Sequence, residues 1–194
     1  MELRWPSVTE LPGYVDALER GWSPNTIDPD AGIAELDRIR HAPDAFLASL
    51  VDRDAVGPLI LLPDGSTAER IPGVRKWMWD GAFCGTIGLR WRPGTEELPP
   101  HVLGHVGYSV VPWKRRLGYA TAAVEAILAD AAAEGLRWID VTTDLDNIAS
   151  QRVVAGAGGL LVERFTYPAA YGKGEGLRFR VTLTSEPTSA QMRV

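Results

Sequence analysis

The segment Arg115-Arg116-Leu117-Gly118-Tyr119-Ala120 carries the clearest chemistry in the chain. It separates an apolar run, His105 to Val111, from a long alanine-rich stretch, so it reads as the turn from a strand into a helix. The first N–H groups of a helix have no intrahelical acceptor and lie at the positive end of its dipole, which makes such a turn a seat for phosphate. Gly118 and Ala120 keep side chains small where backbone would approach a ligand, and Lys114, Arg115 and Arg116 bring positive charge to the same place. The competing reading is structural: a solvated basic turn whose small residues serve helix packing.

The elements that must position this turn can be read from periodicity. The first 56 residues read as mainly helical after a short strand at Leu3 to Trp5. Ser7 to Arg20 repeats apolar residues at spacings of three and four, with Gly21 as its stop. A second helix follows Asp30 and a third starts at Pro43. Pro58 to Pro72 is rich in turn residues and reads as a loop with an edge strand at Leu59 to Leu62. Val74 to Trp79 and Phe83 to Trp91, joined through Asp80-Gly81, form a hairpin signal. After the turn, Val124, Ile127, Leu128 and Ala131 share one stripe of a helix that Gly135 would end. Trp138 to Thr143 and Leu160 to Tyr167 read as strands around a short helix, Asn147 to Ala157. Leu177, Phe179, Val181 and Leu183 alternate with polar residues as a final strand. The expected fold is α+β, with a mixed sheet and helices on both faces, in one domain over residues 1–186 followed by a frayed tail, 187–194.

Composition narrows the function. The chain has 194 residues with 45% hydrophobic side chains and a net charge of −5, so a large core needs no disulfide or structural metal. Its single cysteine, Cys84, rules out an internal disulfide and argues against thiolate metal sites. No basic n-region or run of ~20 apolar residues suggests secretion or a membrane span, and the acidic balance disfavours a nucleic-acid partner. A reducing, cytoplasmic setting is expected.

Three stretches taken together define a resemblance: Gly107-Tyr108-Ser109-Val110-Val111-Pro112, the Arg-x-x-Gly-x-Ala turn at Arg115 to Ala120, and Asp146-Asn147-Ile148-Ala149-Ser150. In this order they resemble the GNAT superfamily of acyl-CoA-dependent N-acyltransferases, over Phe83 to Tyr167. The wording is most similar to the branch holding ribosomal-protein N-terminal acetyltransferases. The resemblance implies a three-layer α/β/α fold with a central, mostly antiparallel mixed sheet. It also implies an enzyme that moves an acetyl group from acetyl-CoA to a primary amine by direct attack in a ternary complex, without a metal. The strand at Tyr108, Ser109 and Val110 would splay from its neighbour and offer the backbone of Val110 to the pantetheine arm. The N–H groups of Arg116, Leu117, Gly118, Tyr119, Ala120 and Thr121 would hold the pyrophosphate, with Arg115 beside them. Asn147 would reach the pantetheine, unless it only caps the next helix, and Ser150 would lie near the sulfur.

His105 stands where relatives often carry a glutamate, and an imidazole titrating near ~6.5 suits a base for the attacking amine. Val154 and Thr142 occupy positions where many members hold a tyrosine acid and a glutamate base, so a proton for the leaving thiolate would come from Ser150, Tyr108 or water. The same two departures motivate the alternative of a non-catalytic CoA-binding or interaction module. Trp77 and Trp79 share a face of their strand and, with Trp91, are either core or an aromatic wall for the acceptor. The acceptor amine is not specified by these residues, and a homodimer is left open.

Overall fold

The computed structural model describes residues 1–25, 28, 30–171 and 174–183; the expected tail at 187–194 lies outside these. The strand and helix order is β1 (Glu2–Arg4), α1 (Leu11–Glu19), α2 (Ala31–His41), α3 (Pro43–Ser49), β2 (Val51–Asp52), β3 (Ile60–Leu61), β4 (Thr67–Ala68), β5 (Gly73–Trp79), β6 (Phe83–Arg90), β7 (Val106–Val110), α4 (Tyr119–Ala133), β8 (Trp138–Asp144), α5 (Ile148–Gly156), β9 (Leu160–Thr166) and β10 (Glu175–Thr182). Strands run β1-β5-β6-β7 in one sheet, with β2 also on β5, and β8-β10-β9 in a second; every pairing is antiparallel.

Side-chain alternation sends the two faces of the first sheet to different cores. On one face Val74, Met78, Cys84, Ile87, Leu89 and Val106 pack under α4 and α5, with Ile139 and Val141 of β8. On the other, Trp77 and Phe83 meet Tyr14, Leu18, Trp22, Ile39 and Phe46 of the helical front section. Trp77 is fully buried and stacks on Tyr14 at 4.9 Å, so it is core, while Trp91 packs in the opposite core. Helices thus cover both faces, giving the expected three layers.

α4 follows from composition: alanine has the highest helix propensity, and Ala123, Val124, Ile127 and Ala131 form its fully buried stripe. Gly135, at φ +82°, closes it, with Leu136 N–H on the Ala131 carbonyl and Gly135 N–H on that of Ala132. The first helix is shorter than its periodicity predicts. It begins at Leu11, because Pro12 in the first turn suits a start, and Val8 stays exposed in the preceding turn. The expected single edge strand near Leu59 is instead a small hairpin of β3 with β4, closed through Pro63-Asp64-Gly65-Ser66. No helix among the described residues is long and apolar enough to cross a membrane.

Candidate active site

The two sheets meet at one seam and part beyond it. His105 N–H donates to the Asp140 carbonyl at 2.7 Å, and Arg90 N–H donates to the His105 carbonyl at 2.9 Å. The adjoining Gly104 is required by close approach, since a Cβ there would lie 2.8 Å from the Asp140 carbonyl oxygen. Past this point, among the described residues, β7 pairs only with β6 and β8 only with β10, so a cleft opens between β7 and β8. A strand that leaves one edge unpaired can accept an extended ligand along it.

The basic turn lies at the far end of that cleft. Gly118 is the N-cap of α4 in the left-handed region at φ +77°, and Arg116 is also left-handed at +63°. Ala122 N–H makes the helix's first bond, to the Gly118 carbonyl at 3.1 Å, so the N–H groups of Tyr119, Ala120 and Thr121 precede it. The three cations of the segment have separate fates. Lys114 is committed to Asp80 at 2.7 and 3.0 Å, Arg115 Nε donates to the Val110 carbonyl at 3.2 Å, and Arg116 is exposed. Tyr119 Oη donates to the same Asp80 at 2.6 Å. The tip of the β5–β6 hairpin therefore grips the turn from both ends, and the bonds from Lys114 and then Tyr119 hold the Asp80 carboxyl well below the usual carboxylate range.

Tyr108 and Ser150 come together across the cleft wall, with Oη and Oγ 2.6 Å apart. Burial pushes the Tyr108 phenol pKa up, against a smaller lowering by Ser150, so it keeps its proton at neutral pH. Asn147 Oδ1 accepts the Ser150 N–H at 3.0 Å and is the N-cap of α5. Ser109 faces the other way, accepting from Trp22 Nε1 at 3.0 Å and donating to the Ser23 carbonyl at 3.1 Å; this tie to the helical front section carries no local sequence signal.

His105 departs from its expected role as base. It is fully buried, and its Nδ1 accepts the Asp140 N–H at 3.0 Å, which leaves the proton of the neutral ring on Nε2. Neither nitrogen is then free to take a proton from an amine, and burial lowers the pKa further from use. Its observed place is the seam. Val154 is fully buried in the core, and Cys84 is likewise buried, its thiol pushed up to about 11 chiefly by desolvation. Trp79 is half-buried and lines, with Trp113 and Arg20, a groove of about 360 Å³ beside α1.

A split between neighbouring strands, with a helix N-terminus at its open end, offers an extended, phosphate-bearing ligand both a free strand edge and unpaired N–H donors. Residues 65–159 match the family model described as an acetyltransferase (GNAT) domain. That stretch of the chain is a GNAT acetyltransferase domain, which supports an acyl-CoA-dependent N-acetyltransferase. Similar solved structures include RimJ of Mycobacterium smegmatis in complex with a CoA disulfide, at 18% identity over 93% of this chain and 80% of that one, with a TM-score of 0.58. RimL, a ribosomal L7/L12 α-N-protein acetyltransferase in complex with coenzyme A, aligns at 11% identity over 93% of each chain, with a TM-score of 0.60. The microcin C7 self-immunity acetyltransferase MccE, bound to acetyl-CoA and AMP, aligns at 8% identity over 93% and 91%, with a TM-score of 0.54. At such identities these likenesses speak for the fold. No curated protein sequence matches the chain significantly.

Proposed function

We propose that the protein transfers the acetyl group of acetyl-CoA to a primary amine by direct attack in a ternary complex. The observation that carries this is the cleft between β7 and β8 with the Arg116 to Thr121 turn at its end. That turn fits the cosubstrate: its left-handed Gly118 leaves open space where a Cβ would stand, and helix N–H donors adjoin it. Arg116 to Thr121 would hold the pyrophosphate, and the β7 backbone near Val110 the pantetheine arm. Arg115 contributes by fixing the Val110 carbonyl, and Asn147 by fixing the start of α5. Bound there, acetyl-CoA supplies the acyl group as an activated thioester.

Tyr108 Oη, protonated and hydrogen-bonded to Ser150, is the proton source for the leaving sulfur. The acceptor amine loses its proton to solvent, since His105 is held in the seam. The test is calorimetric titration with acetyl-CoA followed by thiol release with a panel of amines. Binding with release supports the reading; a folded protein that fails to bind acetyl-CoA overturns it.

A further inference from the structure

The cleft has one side on which an acceptor can approach. α4 and α5 cover the face of β7 that carries Val106, Tyr108 and Val110, and the Tyr108–Ser150 bond closes it. On the opposite face the registers set Arg75 beside Gly88 and Gly88 beside Gly107, so two adjacent strands present bare backbone there. Arg90 projects from this same face, since Leu89 and Trp91 on either side of it are in the other core. β6 is an interior strand, yet Arg90 is exposed, so the helical layer stops short of it. Its guanidinium lies over the glycine floor: a Cβ at Gly107 would be 3.0 Å from Nη2.

Five strand arginines stand on this side of the two sheets, Arg4, Arg75, Arg90, Arg178 and Arg180, and Arg4 pairs with Glu10 at 3.0 Å. Arg75 pairs with Glu35 at 2.8 Å, Arg178 with Glu163 at 3.0 Å and Arg180 with Asp140 at 2.8 Å. Arg90 alone has no carboxylate partner among the described residues. Desolvation, then the nearby Arg75 charge, push its pKa down against a smaller opposing effect of Tyr171.

We propose that Arg90 selects the acceptor, which is an amine bearing an anionic group that pairs with this guanidinium over Gly107. This rests on the proposed function above. Gly107 lies on β7 three residues before Val110, whose backbone would follow the pantetheine arm, so the anion and the reacting end of the arm would lie within about 10 Å of each other. An acidic side chain at the second position of a peptide lies within that reach of its amino nitrogen. A guanidinium recognises a carboxylate or a phosphate by the same paired N–H donors, so the test separates these sources.

The acceptors are the amidated dipeptides Ser-Asp, Ser-Asn and Ser-phosphoserine, assayed by thiol release at saturating acetyl-CoA with the full chain, with acetyl-CoA binding measured for each variant. The expected result is a kcat/KM ratio of Ser-Asp over Ser-Asn of about 10 or more in the wild type. It falls toward 1 in Arg90→Gln and recovers in part in Arg90→Lys. A higher rate with the phosphoserine peptide than with Ser-Asp assigns the anion as phosphate. A wild-type ratio near 1, a ratio unchanged in Arg90→Gln, or no turnover of either acidic peptide by protein that binds acetyl-CoA overturns the inference. Loss of acetyl-CoA binding in the wild type instead overturns the proposed function.

Discussion

Among individual residues, the proton inventory of the cleft turns on Tyr108 and His105, both from the segment around β7 and with opposite roles. Tyr108 is half-buried, protonated and 2.6 Å from Ser150. Tyr108→Phe is expected to lower kcat by about 10–100-fold while the acetyl-CoA KM changes little, as befits a group acting on the departing sulfur; equal loss in both parameters would point to a binding role. His105→Leu leaves the Asp140 N–H without its acceptor, and urea unfolding should show a loss of about 1–3 kcal/mol. Because burial lowers the pKa of His105, the unfolded chain takes up a proton first as pH falls below ~6.5, and stability declines there. A shallower acid limb of stability in His105→Leu, with an unaltered pH profile of kcat/KM, is the expected pair of results. The sequence made His105 a base because it shows an imidazole on a strand; it does not show that the ring's acceptor nitrogen is spent on a residue 35 positions away.

At the level of elements, the turn into α4 and the β5–β6 hairpin act as one unit. The turn was legible because its signals are local: an apolar strand, a glycine suited to positive φ and an alanine-rich helix in succession. Its anchoring was not legible, because Asp80 lies 34 residues from Lys114 and 39 from Tyr119. Asp80→Asn is expected to raise the acetyl-CoA Kd about 5–20-fold by loosening the turn, with kcat at saturating cosubstrate largely kept. Tyr119→Phe, which removes one of the bonds, should give a smaller rise in the same titration. The depressed pKa of Asp80 gives the sign of the pH effect: its contribution is present above the ordinary carboxylate range and is lost only as pH falls through the lower folded value. Acetyl-CoA binding should therefore persist at pH 5, where an unpaired carboxylate near ~3.9 would already begin to protonate.

For the whole molecule, the helical front section is tied to the sheet through buried polar groups as well as apolar packing. Tyr14 donates to Glu35, which also pairs with Arg75 on β5 at 2.8 Å. Burial raises the pKa of Tyr14, Tyr108 and Tyr167. A raised folded pKa stabilises fully below the unfolded value and is lost as pH climbs, so urea midpoints should fall steeply above pH ~10. Tyr14→Phe should flatten that fall; an unchanged alkaline slope would count against this origin. By itself the sequence determined the longer elements and their order, though not the short strands β2 and β4, since helix stripes, strand alternation and the turn's small residues are properties of near neighbours in the chain. Through the family resemblance of its motifs it also offered Ser150 and Tyr108 as alternative proton sources, though not the bond between the two hydroxyls. Only the tertiary structure decided that His105 closes a seam and that Arg90 stands without a carboxylate over bare strands. Burial and ion pairing depend on strand register and on where the helical layer ends, and these bring together residues far apart in sequence.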